Sequence, residues 1–264
     1  MNWINKKHPT AGGEWILPVV AETFDGWLSN IVLDILDGND VAVACDSARG
    51  GCTIDEGNVG GGTGMITYDF KGGSGSASRR VDYRVDAGRG PTQSYTVGVF
   101  VQSNFGRRHE LTICGVHLGE ALKADNPRRE AAREKEGSII VVVATDAPLL
   151  PHQCKALARR ATFGVARTGT CGSHFSGDLF IAYSTANEGA FTSSVQPNAA
   201  FLDQVQTLPW GSMDPLFEAV VQATEEAIVN AMVAGEEMVG FRGRRVPALP
   251  VAAVVRELKL HRAI

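Results

Sequence analysis

Apolar residues along the chain follow two spacings. From Asp214 to Ala234, Phe217, Val220, Val221, Ala227, Ile228 and Ala231 recur at three and four, with Thr224 among them. That is the period of an amphipathic helix. Asp214 is a favoured N-cap and Pro215 fits the first helical position, so this is the strongest helix signal in the chain. Pro148 to Val165 repeats the pattern: His152, Leu157, Ala158 and Ala161 fall near one face, with Lys155, Arg159 and Arg160 elsewhere. Val251 to Leu260 predicts a last helix, and Ile31 to Leu36 a short one. Val41 to Ala44 reads as a short strand or a helix end, and Leu122 to Glu136 as a solvated helix or loop. Met65 to Phe70, Arg79 to Val85, Tyr95 to Gln102 and Glu110 to Val116 set β-branched and aromatic residues between glycine-rich turns, which predicts strands. Ile139 to Ala144 is wholly apolar and reads as a central strand. Leu179 to Tyr183 is also wholly apolar and reads as a strand buried on both faces. Strands and helices do not alternate strictly, so a layered α+β domain is expected rather than a doubly wound parallel sheet. No repeat or break in composition divides residues 1–264, which read as one domain.

Composition narrows the function classes. The 264 residues are 44% hydrophobic, enough for a substantial core. The net charge of −4 gives no footprint for nucleic acid, and no apolar run approaches the roughly 20 residues of a membrane span. Five cysteines without a Cys-x-x-Cys pair argue against a zinc site or a disulfide framework and suit a reducing, cytoplasmic compartment. The histidines show no metal-ligand spacing, so no metal and no cofactor are expected.

Two glycine-rich segments draw the candidate chemistry. Glu56 to Met65 lacks the Gly-Lys-Ser/Thr of a phosphate loop, and strand-like sequence follows it where a dinucleotide site needs a helix. A close approach of backbone to backbone or to a ligand remains. Asn58 in this loop either offers an amide to an oxyanion or is a plain turn residue. The second segment, Arg167 to Asp178, leads abruptly into the apolar run 179–183. Ser176 sits at that junction, as a nucleophile held by a rigid element or as a turn hydroxyl facing solvent. No spacing favours a Ser-His-Asp triad, and His174 is only two residues from Ser176. Thr224 lies on the apolar face of its helix and needs a partner, for which the carbonyl four residues earlier is the ordinary answer. Glu226 falls about 200° around a straight helix from Thr224.

Several blocks then share an order known from one enzyme family. They are 18–26 (Pro-Val-Val-Ala-Glu-Thr-Phe-Asp-Gly), the loop 56–65, 70–73, 106–113, 144–149, Ser176-Gly177-Asp178-Leu179-Phe180 and 223–228. In these the chain resembles the L-aminopeptidase/D-esterase and β-aminopeptidase (D-aminopeptidase) family of self-processing serine peptidases. The resemblance implies a four-layer αββα sandwich like that of the N-terminal-nucleophile hydrolases. It implies self-cleavage between Phe175 and Ser176, giving 1–175 and 176–264, with Ser176 as nucleophile. A freed α-amine titrates at ~7.7–8.0 and can take the hydroxyl proton without a histidine. The resemblance assigns the supporting hydroxyl and carboxylate to Thr224 and Glu226, and the active-site tyrosine to Tyr68. Its substrates are small peptides, amides or esters, and a homo-oligomer is expected.

The chain also departs from the family. Phe175 and His174 replace a small residue and an asparagine, Thr224 replaces a serine, and an N-terminal portion is expected to be missing. Two other readings therefore stand beside aminopeptidase: an inactive homologue that binds or scaffolds, and an acyltransferase like the ornithine acetyltransferases.

Overall fold

The computed structural model describes residues 2–9, 18–33, 35–84, 90–127, 137–190 and 202–264. The helices are α1 (Asn2–Lys7), α2 (Gly38–Ser47), α3 (Pro151–Arg167), α4 (Asp214–Val233) and α5 (Val251–Leu260). The strands are β1 (Ile66–Thr67), β2 (Phe70–Lys71), β3 (Gly73–Arg84), β4 (Thr92–Asn104), β5 (Thr112–Ile113), β6 (Val116–His117), β7 (Ser138–Thr145), β8 (Leu179–Ser184), β9 (Met238–Val239) and β10 (Arg245–Val246). One four-stranded sheet, in the order β3-β4-β7-β8, organises them.

The sheet is mixed. β3, β4 and β7 are antiparallel neighbours, with Val99 opposite Ala77 on one side and Val143 on the other. β8 joins β7 in parallel, with Val142 opposite Ile181. Parallel neighbours need a long crossover, and α3 supplies it. One face carries the core. Val97, Val99, Val101, Val141 and Val143 pack there against Leu157 and Ala161 of α3 and Val220, Ala227 and Ile228 of α4. Alanines dominate the buried side of α4, and Gly75 of β3 lies directly beneath its backbone, where a side chain would strike the Ala227 carbonyl. The small residues thus set how closely helix and sheet approach. α3 and α4 thus pack as a helical layer on one face of the four-stranded sheet, in keeping with an α+β sandwich.

The opposite face corrects one expectation. Leu179, Ile181 and Tyr183 are 44%, 39% and 47% exposed, so among the described residues β8 is a half-covered edge strand and not one buried on both faces. Only Phe180 and Ala182 of its apolar run turn toward the helices. An apolar run fixes strand character but does not reveal which face another layer covers.

Other differences are local. Met65–Phe70 is a tight hairpin of two short strands with Tyr68 and Asp69 in its turn. Glu110–Val116 is a 3₁₀ turn followed by a second hairpin, β5–β6. Residues 31–33 make a turn and no helix, and Val41–Ala44 belongs to α2. α3 begins at Pro151, three residues after the expected start, and in α4 Asp214 is the first helical residue with Met213 as its cap. Most of Leu122–Glu136, namely 128–136, lies outside the described residues. No helix among the described residues is long and apolar enough to cross a membrane.

Candidate functional site

The site is built from the β1–β2 hairpin outward. Tyr68 and Asp69 both adopt left-handed backbone (φ 53° and 58°), as a two-residue turn between twisted strands requires. Neither is glycine, so the surroundings must hold the strain. The buried Arg108 does so. Its Nε donates to the Tyr68 carbonyl (3.0 Å) and its Nη2 to the Asp69 carbonyl (2.6 Å). Its Nη1 reaches the Leu122 and Ala124 carbonyls at 2.8 and 3.1 Å, and the guanidinium lies 3.3 Å over the Phe70 ring. Burial pulls its pKa down to about 10, yet every contact favours the cation.

Lys71 performs the same task on the other side. Its side chain is fully buried, and Nζ donates to the carbonyls of Gly62, Met65 and Gly72 at 2.9, 3.0 and 2.8 Å. Burial lowers its pKa to about 8, with Asp25 pulling the other way. The ammonium ties the end of the glycine loop to the hairpin. At the start of that loop, Gly57 (φ +79°) sits against the Ala234 backbone with no room for a side chain. The loop glycines therefore serve contact of backbone with backbone.

Tyr68 links this scaffold to the Ser176 segment. Its ring is buried edge-on to Phe105, and its hydroxyl bonds Thr168 Oγ1 at 2.7 Å. Thr168 Oγ1 donates to the Val165 carbonyl (2.7 Å), so the phenol is the donor to Thr168. The phenol oxygen also accepts from the Thr170 amide at 3.2 Å. Burial pushes its pKa above the ordinary value, which keeps it neutral. Tyr68 thus fixes where the segment leaves α3.

Ser176 follows in a turn, its amide donating to the Ser173 carbonyl at 2.9 Å. It bridges Gly137 just before β7, and the Gly177 amide donates to Ser138 Oγ (3.0 Å). The Ser176 hydroxyl donates to Asp178 Oδ1 at 2.5 Å. Ser176 is half-buried, and Phe175 before it is 59% exposed. A serine hydroxyl bonded to a neighbouring carboxylate has the pairing from which a nucleophile is activated.

The sequence profile of peptidase family S58 matches residues 1–246. The chain belongs to this peptidase family. Among S58 relatives, two β-peptidyl aminopeptidases named BapA are similar to it. The one from Sphingosinicella microcystinivorans is 43% identical over 96% of the chain. The one from Sphingosinicella xenopeptidilytica is 40% identical over 98%. The chain spans 63% and 64% of their lengths. The solved L-aminopeptidase D-Ala-esterase/amidase of Ochrobactrum anthropi superposes with a TM-score of 0.87 at 41% identity, covering 99% of this chain and 69% of that one. That enzyme is described as a prototype serine aminopeptidase and a new variant of the Ntn hydrolase fold. A β-aminopeptidase from Burkholderia sp. gives 0.83 at 40% identity, covering 97% of this chain and 69% of that one. Over its matched length this S58 chain has that α+β fold.

Of the residues singled out from sequence, the structure brings Tyr68 to the Ser176 segment and leaves three others apart. Thr224 is fully buried where α3 and α4 cross, against Gly164, where an added Cβ would come within 2.6 Å of its own. Its hydroxyl has no partner among the described residues, not even the carbonyl four residues back. Glu226, on the other side of α4 as the helical period requires, pairs with Arg79 of β3 at 2.6 Å. β3 and β8 are opposite edges of the sheet, three strand spacings or about 14 Å apart. Glu226 over β3 is therefore far from Ser176. Asn58 exchanges hydrogen bonds with the Glu236 backbone, at 2.9 and 3.1 Å, tying the glycine loop to the end of α4. The His174 ring lies 3.9 Å from that of Phe175, and His152 packs on Trp210. Sequence reasoning gave no role to Lys71, Arg108 or Asp178. Only Asp178 carried a local signal, since it stands two residues from Ser176.

Proposed function

We infer that this S58 chain is a self-processing serine aminopeptidase that releases N-terminal residues from small peptides, amides or esters. The observation that carries the reading is Ser176, its hydroxyl held by Asp178 at the loop-to-β8 junction beside an exposed Phe175. The names of its relatives, β-peptidyl aminopeptidases and an L-aminopeptidase D-Ala-esterase/amidase, support the substrate class.

In the proposed sequence, the Phe175–Ser176 bond is cut first. The new α-amine of Ser176, with a reference pKa of ~7.7–8.0, then acts as base for its own hydroxyl. That hydroxyl attacks the substrate carbonyl, and water releases the acyl group. Tyr68 serves as a positioning residue whose neutral hydroxyl sets the path of 168–170. Thr224, Glu226 and Asn58 receive no contact with the reacting atoms in this reading. Four exposed cysteines and one buried one, all unpaired, support a cytoplasmic setting. The apolar open face of β8 supports assembly with further polypeptide, a homo-oligomer among the choices.

A second reading, an inactive homologue, draws on the separation of Thr224 and Glu226 from Ser176. Amino-acid p-nitroanilide hydrolysis separates the two. Turnover that vanishes in Ser176→Ala supports the peptidase. No turnover in a folded, cut chain supports the inactive homologue.

A further inference from the structure

We propose that Asp178 is the base for self-cleavage: in the uncut chain its carboxylate takes the Ser176 hydroxyl proton as that oxygen attacks the Phe175 carbonyl. This deepens the reading of Phe175–Ser176 as the scissile bond and rests on it. The mature reaction borrows the α-amine of Ser176. Before cleavage that nitrogen is an amide, and its N–H already donates to the Ser173 carbonyl at 2.9 Å. The first cut therefore needs a different proton acceptor.

The geometry supplies one. Ser176 Oγ donates to Asp178 Oδ1 at 2.5 Å, within the range of a charge-assisted bond. Only Gly177 separates the two side chains, so the pair meets locally, just ahead of β8. Its frame is fixed on both sides of the serine, by the bridge to Gly137 and by the Gly177 amide on Ser138 Oγ. The neighbouring histidine is engaged elsewhere, its ring on Phe175.

The step balances. A bond forms between Ser176 Oγ and the Phe175 carbonyl carbon, and the bond from that carbon to the Ser176 nitrogen breaks. The proton passes from Oγ to Asp178 and then to the departing nitrogen, leaving a Phe175 ester on Ser176 and a free α-amine. Water hydrolyses the ester, giving the Phe175 carboxylate and restoring the hydroxyl. One water is consumed and Asp178 is regenerated.

The test follows cutting of the full chain after cell-free synthesis, on denaturing gels, for the parent, Asp178→Asn, Asp178→Ala and Asp178→Glu, with melts to establish folding. The parent should cut, and folded Asp178→Asn should cut about 10²–10⁴-fold more slowly, the usual worth of a general base. Formate added to Asp178→Ala should restore cutting in proportion to its concentration, which a merely structural carboxylate would not do. Folded Asp178→Asn that cuts at the parental rate overturns the proposal. If neither the Asn nor the Ala variant folds, Asp178→Glu decides: cutting supports the proposal, and a folded uncut chain overturns it. A parent chain that never cuts instead refutes the scissile-bond reading, a separate failure.

Discussion

The Tyr68 hairpin and the segment 171–178 meet at Thr170 and are held in opposite ways. In the hairpin the strained Tyr68 and the charged side chains of Lys71 and Arg108 are buried and paired, and the half-buried Asp69 carboxylate accepts from the Arg108 amide and the Asn126 side chain. Arg108 satisfies four carbonyls and Lys71 three, and both reach them from inside the protein. Segment 171–178 is mostly exposed and held by few bonds: the local ones from Ser176 to Ser173 and to Asp178, and one long-range bond from Gly177 to Ser138 of β7. Buried, satisfied networks are costly to disturb, whereas exposed local bonds open at little cost. The division suits the self-cleavage proposed above, with one side fixed while the other changes covalently.

Breaking the rigid half should have the largest effect on stability. Arg108→Ala leaves several carbonyls without their donor at once, each buried one costing about 1–3 kcal/mol. At roughly 2–4 °C per kcal/mol for a chain of this size, calorimetry should record a fall of about 10 °C. Arg108→Lys should not restore it, because an ammonium lacks the planar fork that reaches carbonyls on two segments.

Lys71 gives the next largest effect, visible in its pH dependence. Its folded pKa of about 8 is below the unfolded value of 10.5, so between these pH values the unfolded chain binds more protons. Stability from this group therefore rises with pH across that window. Between pH 7.5 and 9.5 the gain is about 2 kcal/mol, read as the difference in urea unfolding between parent and Lys71→Met. A parent that loses stability over that range relative to Lys71→Met contradicts the assignment.

Tyr68→Phe should be milder. It removes one buried hydroxyl and leaves the Thr170 amide unpaired, worth about 1–2 kcal/mol. Because that hydroxyl sets the path of 168–170, cutting should slow as well, whereas a substitution that acts only on stability would leave the rate unchanged. The smallest effect belongs to the open face. Ile181→Thr, at a residue 39% exposed, should change stability by under about 0.5 kcal/mol while reducing dye binding and aggregation of the isolated chain.

Sequence alone disclosed what repeats and what is consecutive. The three- and four-residue period of α4 placed Thr224 inward and Glu226 away from it, and both sit so. Ile139–Ala144 read as central because its apolar run is continuous, and β7 does lie between β4 and β8. The family blocks marked Ser176 and Tyr68 as residues of interest. Contacts across the chain were beyond reach. Arg108 lies about forty residues from the hairpin it holds, and Asn58 is 178 residues from its partner Glu236. Leu179–Tyr183 misled because a run of apolar residues carries no period, so it cannot say which face is covered.

The most direct measurement is the intact mass and N-terminal sequence of the purified chain. Two fragments are expected, 1–175 and 176–264, the second beginning at Ser176, with a single uncut species for Ser176→Ala. One intact species of 28.1 kDa for the parent chain, unchanged on long incubation, contradicts self-cleavage.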